Sequence, residues 1–272
     1  MTTTRSGALR LESIFSDLRA HGRKALMPFI VGGHPTIECM PDLLCALDAN
    51  GASAIEVGIP FSDPIADGPV IASAMHDAIE CGVTPAKVLD AIARARPRLS
   101  CAIIAMVSVS IVQRLGTHKF IALARDAGVD GFIFPDAPLE EADELSAAAA
   151  AAGLSSSLLI APTTPPDRAA RIAQACTGFV YMLARRGITG ATGAAQHTNL
   201  AQRIAHIRSA TPLPIACGFG IATAADVRNV VHAAGADAAI VGTALVDALR
   251  DTASPISAAE TLMRQLSAGL HP

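Results

Sequence analysis

A closed (β/α)8 barrel, the TIM barrel, is the fold this chain predicts, on three observations. Short apolar runs alternate with longer Ala/Leu-rich stretches along the 272 residues. Alternation of this kind implies parallel strands joined by helical crossovers. Eight such runs fall within about 250 residues, the usual size of that barrel. No linker, charge block or composition shift interrupts them. The chain therefore reads as one domain, 1–272, with 1–24 as a capping region and the barrel over about 25–268.

The elements follow in order. Leu11, Ile14, Phe15 and Leu18 recur at helical spacing before the first run and predict an amphipathic helix under the barrel. Strands are predicted at 25–31, 54–58, 101–107, 131–134, 157–160, 179–183, 214–216 and 238–241. Helices are predicted at 40–49, 85–95, 117–127, 140–152, 167–175, 200–209 and 224–234. The alanine run 147–152 extends one of them, since Ala is the best helix former, and Gly153 stops it.

Composition removes several function classes. Hydrophobic residues make up 51%, enough for a large core. Net charge is −3, and no basic patch interleaves with aromatics, which argues against nucleic-acid binding. The six cysteines form no CxxC pair and have no His at metal-ligand spacing, so they read as buried free thiols in a reducing compartment. Residues 1–10 are polar, with no apolar leader, and no later run reaches membrane-spanning length. A cytoplasmic protein is expected, off the membrane.

The chemistry points to carboxylates. Barrel sites sit at the C-terminal ends of the strands. Glu56 lies inside the second run, Ala54-Ile55-Glu56-Val57, and Asp63 and Asp67 follow in a Gly/Pro-rich loop. A buried carboxylate is costly unless paired; its pKa rises, and it can then exchange protons near neutrality. Asp63 reads as a turn or interface residue, since Asp favours turns. His34, after strand 1, reads as a solvated loop residue, and Asp136 follows strand 4. Gly218-Phe219-Gly220 follows strand 7, and Gly242-Thr243 follows strand 8 and opens the last helix. Glycines there let backbone N–H groups approach an anion, and the loops after strands 7 and 8 are the fold's usual phosphate site. Gly187-Ile188-Thr189-Gly190 supplies a third wall.

Other means of catalysis are missing. None of the three lysines, Lys24, Lys87 and Lys119, ends a predicted strand, which argues against a Schiff base. The histidines do not cluster with acids as metal ligands, and no Gly-rich loop after strand 1 suggests a dinucleotide. No cofactor and no metal are expected.

The segment from Glu56 to Pro69, with its Pro60-Phe61-Ser62-Asp63-Pro64 and Ala66-Asp67-Gly68-Pro69, resembles the tryptophan synthase alpha subunit family. The likeness continues through 127–131, Pro135-Asp136, 161–165, 178–181, 185–190 and 218–221, nearly the whole chain. It implies cofactor-free retro-aldol cleavage of indole-3-glycerol phosphate to indole and glyceraldehyde 3-phosphate, and a beta-subunit partner. By the same resemblance Glu56 is the acid–base that serves indole C3 and the glycerol hydroxyl, and Asp67 holds the indole N–H. Phosphate falls to Gly190, Gly220, Gly242 and Thr243. The indole pocket falls to Phe29, Ile133, Ile160, Tyr181 and Phe219. Arg185 and Thr189 belong to a closing loop (185–198), in which Thr189 bonds Asp67, and Asp63 and Pro64 face the partner. The chain departs from the family after strand 3, where Ser108, Ser110 and Ile111 replace an aromatic, an Asn and a Pro. A stand-alone lyase and a weakly catalytic regulatory paralogue remain the alternative readings.

Overall fold

A computed structural model describes residues 7–64, 67–184, 194–218, 220–250 and 252–271, with the side chains of 194–199 left out. Nine strands, all parallel, are present among these residues. They are β1 (Ala25–Val31), β2 (Ala54–Gly58), β3 (Ala102–Met106), β4 (Gly131–Ile133), β5 (Ser155–Ser157), β6 (Leu159–Ile160), β7 (Val180–Leu183), β8 (Ile215–Gly218) and β9 (Ala238–Val241). Their order is β5-β4-β3-β2-β1-β9-β8-β7-β6. β5 and β6 are two halves of one stave, broken at Leu158; the first half pairs with β4 and the second with β7. The sheet closes through that stave into an eight-stave barrel. The predicted run at 157–160 thus begins two residues early, at Ser155, and its three serines hide the start from an apolar pattern.

The predicted helices at 40–49, 85–95 and 117–127 are α2 (Met40–Ala49), α4 (Pro85–Ala95) and α6 (Thr117–Ala127). α1 (Gly7–Ala20) is the capping helix, and α7 (Ala142–Ala151), α8 (Pro166–Ala175), α9 (Ala194–Ala210) and α10 (Ala224–Arg228) match four others. α10 opens on a capping box between Thr223 and Asp226 and runs into a π-turn at Asn229–Ala233. Three helices were not predicted: α3 (Pro69–Glu80), α5 (Val109–Leu115) and α12 (Pro255–Ser267). α3 carries Pro at its first position, which suits a helix start, and buries Ile71, Ala74, Met75 and Ala78 at helical spacing. α11 (Thr243–Leu249) follows β9, so it is the penultimate long helix and not the last.

Strand pleating sorts the core into two layers. Ile55, Val57, Ile103, Ala105, Val180 and Met182 face outward to the helices. Ala25, Ala54, Ala102, Ala216 and Ala238 face inward at the N-terminal end. Alanine fills little of the barrel there, and α1 supplies what is missing. Leu11 and Phe15, 1% and 6% exposed, enter this inner cluster, with Phe15 packed on Phe179 at a ring-centroid distance of 6.4 Å.

Asp130, before β4, fixes that end. It accepts hydrogen bonds from Arg10 of α1, from Arg96 Nη1 at 3.2 Å and from the Ile103 N–H at 2.8 Å. Arg96 also donates to the carbonyls of Leu99 and Cys101. Of the six free cysteines only Cys101, Cys176 and Cys217 are buried; Cys81 is exposed, contrary to the reading of all six as core thiols. No helix among the described residues is long and apolar enough to cross a membrane.

Candidate active site

Strand parity builds the site. In β2 the residues Ala54, Glu56 and Gly58 share the inner face, and Glu56 lies in register with Phe29 of β1 and Ile104 of β3. Its carboxyl group is fully buried, and neither oxygen has a hydrogen-bond partner among the described residues. Burial with nothing to stabilise the anion pushes its pKa well above the usual carboxylate range. That burial favours the protonated acid, on the strand face that points into the barrel lumen.

Above it a cavity opens at the C-terminal mouth. Phe29, Ile71, Ile240 and Tyr181 line it, as do Asp67, Met106 and Pro135. Gly220, Gly242 and Thr243 line the side after β8 and β9. Gly220 has φ +75°, a left-handed backbone that favours glycine. Asp67 faces into the cavity, and burial raises its pKa to about 6. Tyr181 is 7% exposed, and burial, followed by the nearby Glu56 and Asp67, raises its pKa well above the ordinary phenol value. Its phenol stays protonated beside the two acids. A Cβ placed on Gly218 would lie 2.6 Å from the Tyr181 hydroxyl, so Gly218 makes the room that Tyr181 occupies.

The residues proposed from sequence divide clearly. Phe29, Asp67, Tyr181, Gly220, Gly242 and Thr243 line the cavity, with Glu56 and Ile133 on the same inner face. Ile160 does not join them. It pairs with Met182 and faces the outer layer, whereas Leu159, paired with Tyr181, faces in and lines the cavity. The cause is the two-residue period of a strand. Thr189, Gly190, Arg185 and Phe219 lie outside the described residues. Ile71, Met106, Pro135 and Leu183 also line the cavity, and the sequence reading omitted them. Parity could have found Met106 and Leu183, two residues beyond Ile104 and Tyr181.

A second cavity adjoins the first at Asp67, Met106 and Pro135. Asp63 and Pro64 line it, together with Ser108, Ser110 and Asp136. Asp136 is tied to α5. Ser108 donates to it at 2.6 Å and the Val109 N–H at 2.9 Å. Ser108 is also the N-cap of that helix. His34, expected in solvent, is 6% exposed, and its Nε2 has no partner among the described residues. Burial lowers its pKa, favouring the neutral ring. No group of three or more His, Cys, Asp or Glu among the described residues could hold a metal ion.

Comparison with known proteins agrees with this geometry. The family model described as tryptophan synthase alpha chain matches residues 15–269. The tryptophan synthase alpha chain of Synechococcus sp. is 40% identical over 260 residues, covering 96% of this chain and 95% of its own. That of Burkholderia pseudomallei is 41% identical over 252 residues, covering 92% of each. A crystal structure of tryptophan synthase subunit alpha from Legionella pneumophila superposes with a TM-score of 0.86 at 31% identity, over 96% of this chain and 98% of that one. A Mycobacterium tuberculosis tryptophan synthase structure gives a TM-score of 0.88 at 30% identity, over 98% and 99%. By its sequence and by its barrel, the chain belongs to the tryptophan synthase alpha chain family.

Proposed function

We propose that this protein cleaves indole-3-glycerol phosphate to indole and glyceraldehyde 3-phosphate, in the cytoplasm, as the alpha subunit of a complex with a beta subunit. The observation that carries the reading is Glu56, a fully buried carboxyl group with no hydrogen-bond partner among the described residues, on the inner strand face next to a cavity that Asp67 lines.

Glu56, protonated, gives its proton to indole C3. C3 becomes tetrahedral and positive charge develops at the ring nitrogen. Asp67, ionised, accepts a hydrogen bond from the indole N–H and stabilises that charge. The Glu56 carboxylate then takes the proton from the hydroxyl on the carbon attached to C3. The C–O bond becomes C=O, the C–C bond breaks, and its electron pair returns to the ring. Glu56 ends the cycle protonated, as it began, and no external acid, base or cofactor is consumed. A well-placed acid or base of this kind contributes about 10²–10⁴-fold. Gly220, Gly242 and Thr243, with Gly190, hold the phosphate. Phe29, Ile133, Tyr181 and Phe219 hold the ring, and Arg185 and Thr189 close over it. Asp63 and Pro64 face the beta subunit.

The test is an assay of both products from indole-3-glycerol phosphate, with and without a beta subunit. Absence of both products in both cases overturns the reading. A rate that the partner does not raise would instead make the protein a stand-alone lyase.

The pH profile of kcat/KM is expected to be bell-shaped. Its acid limb falls below about pH 6, where Asp67 takes up a proton and loses the charge that faces the indole nitrogen. Its alkaline limb falls where Glu56 ionises. Asp67→Asn should lower the rate and remove the acid limb. Gly218→Ala should drive the Tyr181 ring into the cavity. Misplacing groups by about 1 Å can cost 10²-fold, and kcat/KM of that variant is expected to fall by about that factor.

A further inference from the structure

We infer that Met106 is the movable partition that sets how large an aromatic ring the active site accepts, and that the second cavity receives substituents on that ring. The inference rests on the proposed cleavage reaction and concerns its specificity.

Among the described residues three belong to the linings of both cavities: Asp67, Met106 and Pro135. Asp67 carries the charge that faces the ring nitrogen, and Pro135 is held in a rigid ring. Met106 alone can change shape. It ends β3 on the inner face, half-buried, and packs against both the inner and the outer apolar cluster. An unbranched thioether has three rotatable bonds and adapts to what is placed beside it.

Direction matters as much as position. β8 and β9, whose loops hold the phosphate, stand across the barrel from β3 and β4. A substrate anchored by phosphate at Gly220, Gly242 and Thr243 therefore points its aromatic end at Asp67, Met106 and Pro135. Beyond Met106 the lining is small: Ser108, whose hydroxyl is turned to Asp136, and Ser110, which is exposed. The space behind the partition is apolar at Ile59, Phe61 and Met75. An apolar group on the ring fits it; an anionic one meets the like charge of Asp63 or Asp136.

The experiment measures kcat/KM for indole-3-glycerol phosphate and for analogues with a bromo or phenyl group on the benzo ring. It uses the full chain, alone and with a beta subunit. The readout is the ratio of substituted to plain substrate within each variant. Met106→Ala should raise that ratio about tenfold, the discrimination typical of one or two methylene-sized volumes in an apolar pocket. Met106→Phe should lower it. Ser110→Phe, which fills the second cavity from behind, should lower the ratio in the chain assayed alone, without the beta subunit that Asp63 and Pro64 of the same lining face. Ratios that stay equal in all three variants overturn the inference. So does an equal loss on every substrate, which would mark Met106 as a packing residue only. Failure of the unchanged protein to cleave the plain substrate overturns the reaction itself, a separate result.

Discussion

Glu56→Gln is expected to reduce kcat by about 10²–10⁴-fold and, at the same time, to raise the melting temperature. Both effects have one cause. The carboxyl group is fully buried with no hydrogen-bond partner among the described residues, and burial raises its folded-state pKa well above the usual carboxylate value. Between those two values the folded state binds more protons than the unfolded state, so this group's contribution to stability falls as pH rises. Gln cannot ionise and escapes that loss. The Tm gain of the variant should thus grow from pH 5 to pH 8, as read by differential scanning calorimetry. The kcat loss should persist across the range, with KM little changed, because Gln keeps the shape but has no acidic proton to give. A variant that is inactive, yet whose Tm gain over the unchanged protein is no larger at pH 8 than at pH 5, would show that Glu56 is ionised in the folded protein and would remove it as the proton donor.

Asp130→Ala carries the largest stability cost. The carboxylate is 1% exposed and joins Arg10, Arg96 and the Ile103 N–H. Its loss leaves the partly buried Arg96 guanidinium without its counter-charge. Breaking a buried pair from one side costs about 3–5 kcal/mol. At roughly 2–4 °C per kcal/mol for a chain of this size, the Tm should drop by about 10 °C. Arg10→Ala should cost less, since the Arg10 side chain is 26% exposed and water replaces part of the contact. Urea denaturation gives both values. Asp130 belongs to the end of the barrel away from Glu56, so the folded fraction of the variant should keep its kcat at low temperature. A Tm within about 2 °C of the unchanged protein would assign Asp130 a minor part in stability.

Much of this arrangement is legible in the chain, and the failures have physical reasons. Strand–helix alternation is a strong periodic signal, and it yields the barrel and the bounds of α2, α4 and α6. Glu56 is legible because a carboxylate inside an apolar strand must be explained. Ile160 fails because family likeness assigns a neighbourhood, whereas parity decides which of two adjacent residues enters the lumen. His34 fails because polarity is a poor guide to burial where a loop folds back against helices. Ser108 looked like the loss of an aromatic wall, and its role as N-cap and as partner of Asp136 depends on a contact 28 residues away. Pairings that distant leave no trace in local pattern. Met106 is an ordinary apolar residue until the two cavities on either side of it are seen together.

The floor built from Leu11, Phe15 and Phe179 under the ring of alanines has a consequence for traffic. A barrel stoppered below is closed to traffic at that end. Substrate entry, and departure of a charged fragment and an oily one, are left to the C-terminal side. The two fragments leave an identical chamber with opposite tastes for water, so the order in which they go is decided at the rim and not in the floor.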